Sequence, residues 1–520
     1  MGQLNPTEHV EVDTSEVDFS ADCGRRSMGA GWVTGVSGTL VPGVHSDCAH
    51  NELSSLLTRT MGPVPPKVWE DCDDVIKTVW QRLGRLAVRY QQTPWSLDKT
   101  AESYSGRLRR RYQHAAESLR ADPICKKDAK LAPFLKAEKM WCGLKKAKPR
   151  MIFPRSPRFN LELASYLKGF EHWLWGRLTL KSLGMGNRRS RLVMKGLGPT
   201  ARANTLLSKF NSFVDCVVFE VDGKGFEAHV GPYSIKHEHS VYRQAFKGCD
   251  KLESLLKAQR RLVGKTRYGI RFARDGGRAS GDFNTGMGNS LVMLACVAGV
   301  LYESGIDFDL AVDGDNALVF LHGKDSARVV ESLSARVEET SGQELVLERP
   351  SRNFSDIRFG QCAPVISGQG RLTMVRDPRV ILSKALCSHK HFHERKGALR
   401  FMKGVLQCEL SLARGMPIVQ AWCLEGLRAL EGVVRLGDDA YADWRYVGAW
   451  FAETQHALPV RAETRDSYAR SFDLSVDEQL LIERSLKYPH NAKWETGKQP
   501  EGHWWQASPG LAESWADALF

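Results

Sequence analysis

Three stretches of this chain carry carboxylates, amides and hydroxyls in an order that could do chemistry. Residues 219–227 contain Asp222 and Glu227, residues 280–289 contain Ser280, Gly281, Thr285, Gly286, Gly288 and Asn289, and residues 312–320 place Asp313, Asp315 and Asn316 around Gly314. Carboxylate oxygens are hard ligands that suit Mg²⁺. Two such ions about 3.5–4 Å apart lower the pKa of an attacking hydroxyl and stabilise a leaving pyrophosphate. Asp222 and Asp315 are therefore the candidate ligands for two Mg²⁺ ions, or Mn²⁺, with Asn316 as an auxiliary contact. The chemistry open to this set is nucleotidyl transfer from a nucleoside triphosphate. Each carboxylate taken singly is more readily a strand cap or a turn residue. What carries the reading is their joint occurrence with the small-residue loop between them.

That loop has its own logic. Glycines let a backbone approach a ligand closely. Ser280, Thr285 and Asn289 add donors and acceptors without charge. Together with Glu227 they could surround a ribose and contact its 2′-hydroxyl, the group that separates RNA from DNA. The plain alternative is a glycine-rich turn capping a helix, with Asn284 or Thr285 at the N-cap. Between 136 and 158 stand eight basic residues and one acid: Lys136, Lys139, Lys145, Lys146, Lys148, Arg150, Arg155 and Arg158 against Glu138. Arg150, with Lys139 and Lys148, could neutralise a triphosphate. Lys136, Arg155 and Arg158, with a second cluster at Arg107, Arg109, Arg110 and Arg111, could line a path for RNA phosphates. A solvated face is the competing reading of any such run. The net charge of +13 favours a polyanionic partner, nucleic acid first and an anionic membrane surface second.

The elements that must position these groups can be read coarsely. Residues 213–221 are apolar and β-branched and predict a strand ending at Asp222. Residues 233–246 have helical spacing. Residues 289–303 predict a helix packed by Leu291, Val292, Leu294, Ala295 and Val297. Residues 308–312 and 317–321 flank a tight hairpin turn. Strand, helix, helix and hairpin give an α+β unit with an antiparallel sheet. The first sixty residues lack periodicity and read as a loosely ordered extension; a helical pattern begins near Pro66. The end of the chain is mainly helical in pattern and rich in Trp, including Trp504 and Trp505.

Length and composition exclude other classes. The 520 residues have the apolar and charged content of a globular protein. Twelve cysteines are scattered with no CxxC pair, which predicts a reduced chain and not a disulfide framework. Cys387, His389, His391 and His393 cluster, but their spacing matches no common zinc pattern, so a solvated basic loop is preferred. No run of eighteen apolar residues occurs, so no transmembrane segment is expected.

The order of these motifs resembles the polymerases of tombusvirus-like positive-strand RNA viruses. Residues 104–112 and 116–119 look like the segment where the template enters. Lys136 to Lys139, residues 149–158, 166–168 and Glu171-His172 look like the basic finger motif. Residues 222–230 with 238–242 look like the first palm motif, 280–289 the second, and 358–365 with 374–378 the passage into the thumb. The resemblance implies a right-hand polymerase fold: fingers, a palm of antiparallel sheet flanked by helices, and a mainly helical thumb. It implies an N-terminal extension at 1–94, fingers at 95–213 with an insertion at 248–279, palm at 214–247 and 280–366, and thumb with C-terminal region at 367–520. It further implies RNA template and product, rNTP substrates, initiation without a protein primer, and work in the host cytoplasm at membranes reached through a viral anchoring replication protein. Two departures stand out. Glu227 replaces an Asp of the first palm motif, and its extra methylene is expected to alter sugar selection. The usual Gly-Asp-Asp is here Gly314, Asp315 and Asn316, and an amide is a weaker ligand for a hard cation. Asp313, two residues before Asp315, is expected to make up part of the lost charge and serve as a further metal contact. Lys324 and Arg349 are candidate general acids for pyrophosphate. Two rival functions are a catalytically weakened RNA-binding scaffold and a reverse transcriptase.

Overall fold

The computed structural model describes residues 10–20, 26, 28–65, 73–140, 148–452 and 457–488. The expectations for Lys145, Lys146, Trp504 and Trp505 lie outside these residues. At the centre is a four-stranded antiparallel sheet in the order Glu344–Leu347, Cys216–Lys224, Asn316–His322, Phe308–Asp313. Period-two alternation explains its two faces. Val217, Phe219 and Val221 point into the largest core, with Leu291, Val292, Leu294 and Ala295 of the helix Thr285–Glu303. Cys216 and Val218 point the other way, into a smaller core with Phe320, Phe359 and Met374. Glu220 and Asp222 continue that second face at the end of the strand, where apolar residues give way to carboxylates.

The helix Thr285–Glu303 is long and apolar enough to cross a membrane by length and composition, but 83% of its most apolar window is buried inside the protein. It is apolar all round because it is enclosed all round. The helices Asp73–Ala87, Pro232–Ala245 and Gly323–Ser341 pack around it. A second core lies in the C-terminal helices, among them Arg395–Leu412 and Val419–Ala429.

The first sixty residues differ from expectation. Val10–Asp13 adds an edge strand to the hairpin Arg261–Lys265 and Arg271–Asp275. Gly29–Ala30 pairs with Cys387–Ser388, and Trp32 enters the C-terminal core, where its ring stacks on Trp422 at 5.8 Å. Leu56 is fully buried in a further cluster beneath the hairpin. These contacts come from two- to four-residue strands and single aromatic anchors, too short to show a period.

Candidate active site

The hairpin brings the acidic residues together. Asp222 is the register partner of Asn316, which is also the partner of Asp313. Asp315 sits in the two-residue turn between the strands, made possible by Gly314 at φ +70°. The backbone N–H of Gly223 donates to the Asp315 carbonyl at 3.0 Å, so the turn is locked onto the strand that carries Asp222. The Ser290 hydroxyl accepts from the Gly314 N–H at 2.9 Å and ties the turn to the buried helix.

Electrostatics mark the place. Burial, then the charges of Asp315 and Glu348, push the Asp222 carboxyl above its ordinary range. Glu220, on the same strand face, is pushed up to about 7 by burial and by the charges of Asp222 and Glu348. Asn316, with its amide nitrogen turned toward Asp222, donates to the Asp222 carboxylate and lies 3.3 Å from the Asp315 carbonyl. An Asp at 316 would place a third negative charge there; the amide instead supplies a donor. The set is under-neutralised, which is what a site awaiting cations requires. Among the described residues no group of three or more His, Cys, Asp or Glu side chains is arranged to hold a metal alone. Mg²⁺ commonly takes one or two carboxylates and completes its shell with water and substrate phosphates, so the donors present fit it.

One consequence concerns stability. Glu220 has a folded-state pKa near 7, above its ordinary value of 4.5. The folded protein therefore holds a proton there that the unfolded chain releases. Stability falls as pH rises from about 4.5 to 7, and above that range the whole cost is present. Glu220→Gln is expected to stabilise the metal-free protein by about 1–2 kcal/mol at pH 8 after allowance for solvent screening. The gain should vanish near pH 4.5, as read by thermal melts at both pH values. An equal gain at both would discount the effect.

The loop before the buried helix contributes the next layer. Ser280 stands beside Glu227 and helps to hold the Glu227 pKa down. Burial first, then Asp315, raise the Glu227 pKa, while Arg150 opposes them. Asn289 is buried and accepts from Arg278 Nε at 3.2 Å. Gly281 accepts from Asn160 Nδ2 at 3.3 Å. Thr285 is the first helical residue, and its hydroxyl donates to the Ala279 and Asp282 carbonyls, both at 2.9 Å. Asn284 holds the N-cap position without capping. Its amide is engaged instead by Glu238 and Gln259, at 3.0 and 2.7 Å.

The basic residues divide. Arg150 lies near Glu227 and 3.8 Å from Glu138, beside Arg59, whose guanidinium donates to the Pro149 carbonyl at 3.1 Å. Arg59 was not anticipated, because it belongs to the stretch read as an extension. Lys148 and Lys136 are exposed, the latter 2.6 Å from Glu138. Lys139 turns toward the C-terminal region and donates to the Lys384 carbonyl at 2.7 Å. Arg107 and Arg110 pair with Asp439 at 3.7 and 2.6 Å, while Arg109 and Arg111 are exposed. Arg155 and Arg158 correct the expectation of RNA contacts. Arg155 is buried against Asp282, and Arg158 is spent on Asp128, Ser118 and the carbonyls of Asp122 and Pro123.

Asp313 corrects a second expectation. Its carboxylate oxygens are taken by Lys195 at 3.1 Å and Arg202 at 2.7 Å. Those two cations, unnoticed in the sequence, already balance its charge. Lys324 follows His322, the far end of the strand that begins at Asn316. Six strand steps of about 3.3 Å put it roughly 20 Å from the hairpin turn, out of reach of a leaving group there. Arg349 lines a cleft of about 810 Å³ with Glu220 and Glu348. In the His-rich stretch, Cys387 is buried, with its thiol pushed up to about 12, and the His391 ring stacks on Phe401 at 4.6 Å.

Comparisons with known proteins bear on the family of the chain. The family described as viral RNA dependent RNA polymerase matches residues 26–493. The chain is 30% identical over 471 residues to the RNA-directed RNA polymerase of turnip crinkle virus, covering 87% of this chain and 58% of the relative. It is 31% identical over 464 residues to that of carnation mottle virus, covering 85% and 58%. With that of tobacco necrosis virus it shares 29% identity over 396 residues, covering 74% and 54%. The chain thus spans a little over half the length of these relatives. With the family's match running through both cores and every motif of the site, the chain belongs to the viral RNA-dependent RNA polymerase family.

Proposed function

We propose that this chain carries out template-directed RNA synthesis from rNTPs for a tombusvirus-like RNA virus, with the central sheet as palm, the Arg261–Asp275 hairpin region as part of the fingers and the C-terminal helices as thumb. The observation that carries the reading is the meeting of Asp222, on one strand, with Asp315, in the turn of the hairpin paired to it. Asp222 and Asp315 would hold two Mg²⁺ ions, with Asn316 as an amide contact. Once bound, the ions supply activation of the 3′-hydroxyl and charge neutralisation at the leaving pyrophosphate. Glu227, Ser280 and Asn289 face the ribose. Arg150 and Arg59 hold the triphosphate in line, contributing position and positive charge. The exposed arginines of the helix Gly106–Ala121 guide template phosphates. Initiation without a protein primer, an anchoring viral partner and residence at host cytoplasmic membranes complete the proposal.

The test is incorporation of labelled rNTPs by the purified chain on an RNA template with Mg²⁺ or Mn²⁺. Asp315→Ala is expected to lower the rate by about 10³-fold or more. Template-dependent product from the unsubstituted chain and none from the variant supports the reading. No product from either, with RNA binding intact, makes the chain a scaffold. Preference for dNTPs would make it a reverse transcriptase.

A further inference from the structure

We propose that Arg278, clamped by Glu238, is a positioning residue that sets sugar discrimination by fixing Asn289 and Glu227; this rests on the reading of those two residues as the ribose pocket. The pair lies beneath the loop, with side chains 4% and 0% exposed. Both terminal nitrogens of Arg278 engage the Glu238 carboxylate, Nη1 at 3.1 Å from Oε1 and Nη2 on Oε2. That leaves Nε, which donates to Asn289 Oδ1 at 3.2 Å. The backbone N–H of Arg278 donates to the Glu227 carbonyl at 2.8 Å. One residue thus grips both walls of the pocket.

The grip has a chemical consequence. An amide side chain can present either end to a ligand. With Oδ1 taken by Arg278, Asn289 has its NH₂ to offer, a donor toward a 2′-hydroxyl oxygen. Glu238 is itself held by the Tyr242 hydroxyl at 2.7 Å and by Asn284 Nδ2 at 3.0 Å. The clamp is therefore fixed from the helix Pro232–Ala245 and from the loop together. Gly288 makes room for it: a Cβ there would stand 2.5 Å from both Arg278 Nη2 and Glu238 Oε1. A charged pair enclosed this fully is costly unless its geometry is complete, and this pair is completed by the sugar-reading loop.

Arg278→Lys separates the roles. Lysine keeps a cation beside Glu238 but is a point charge without the planar fork needed to reach Asn289 as well. The measurement is kcat/KM for ATP and for dATP on one RNA template, with a thermal melt of each protein. The ratio of the two is expected to fall about tenfold, through loss on ATP with dATP nearly unchanged. In an Asn289→Ala background the same substitution should leave the ratio where Asn289→Ala alone puts it. An unchanged ratio, or equal losses on both nucleotides, would overturn the proposal, since a merely structural pair lowers both alike. Should Arg278→Lys fail to fold, Glu238→Gln replaces it: a lowered ratio supports the clamp, and an unchanged one overturns it. A wild-type chain that incorporates neither nucleotide sinks the polymerase reading itself, which the Asp315 experiment reports separately.

Discussion

An Asp222→Asn chain is expected to lose nucleotide incorporation by about 10³-fold or more while becoming more resistant to heat. Both effects have one cause. The Asp222 carboxyl is pushed upward by burial and by its neighbours Asp315 and Glu348. Its ionised form is therefore disfavoured in the folded protein and unhindered in the unfolded one. That cost is fully present above the folded pKa and fades as pH falls toward the ordinary value of 3.8. Asparagine keeps the shape and removes the charge. A gain is expected near pH 8 without divalent ions, and should shrink toward pH 4. Added Mg²⁺ should raise the melting temperature of the unsubstituted chain and move the variant less, because a ligand stabilises only the state that binds it. Melting curves at two pH values, with and without Mg²⁺, together with an incorporation assay, check all three statements. A variant that keeps its activity, or that melts lower at every pH, would contradict the assignment of Asp222.

The parts of this molecule legible in its sequence share a property: a residue pattern longer than one turn of structure, or a cluster whose members lie close in sequence. The helix Thr285–Glu303 is an apolar stretch of this kind, and the hairpin around Gly314 follows from two apolar runs separated by turn residues. The helix begins four residues earlier than its periodicity suggests: Asn284 is held by Glu238 and Gln259 from other segments, and the Thr285 hydroxyl by carbonyls of its own loop. Charge was the misleading signal. Lys195, Arg202 and Arg59 lie outside the basic runs singled out in the sequence yet reach the acidic centre, Lys195 and Arg202 through Asp313 and Arg59 beside Arg150. Arg155 and Arg158 stand in a basic run yet point inward. Sequence reports how many charges a segment has; only the fold reports which of them find a buried acid.

Arg155 gives that distinction its sharpest test. Its side chain and that of Asp282 are 1% and 3% exposed. Nε donates to the Ala129 carbonyl at 2.8 Å and Nη2 to the Ala258 carbonyl at 3.0 Å, so the guanidinium joins three segments. Gln259 Nε2 reaches the same Asp282 oxygen at 2.8 Å. Removing the arginine leaves a buried carboxylate with its cation gone and two carbonyls unpaired. Arg155→Ala is therefore expected to destabilise the protein by about 3–5 kcal/mol. Its effect on RNA should be different in kind from that of a phosphate contact. At a temperature where the variant is still folded, the slope of log affinity against log salt should match the unsubstituted chain. Arg109→Ala, on the exposed side of its helix, should leave the melt alone and reduce that slope by about one. If Arg155→Ala instead melts normally and loses a unit of slope, the residue faces RNA, and the buried ion pair that joins the basic segment to the sugar-reading loop is not part of the native protein.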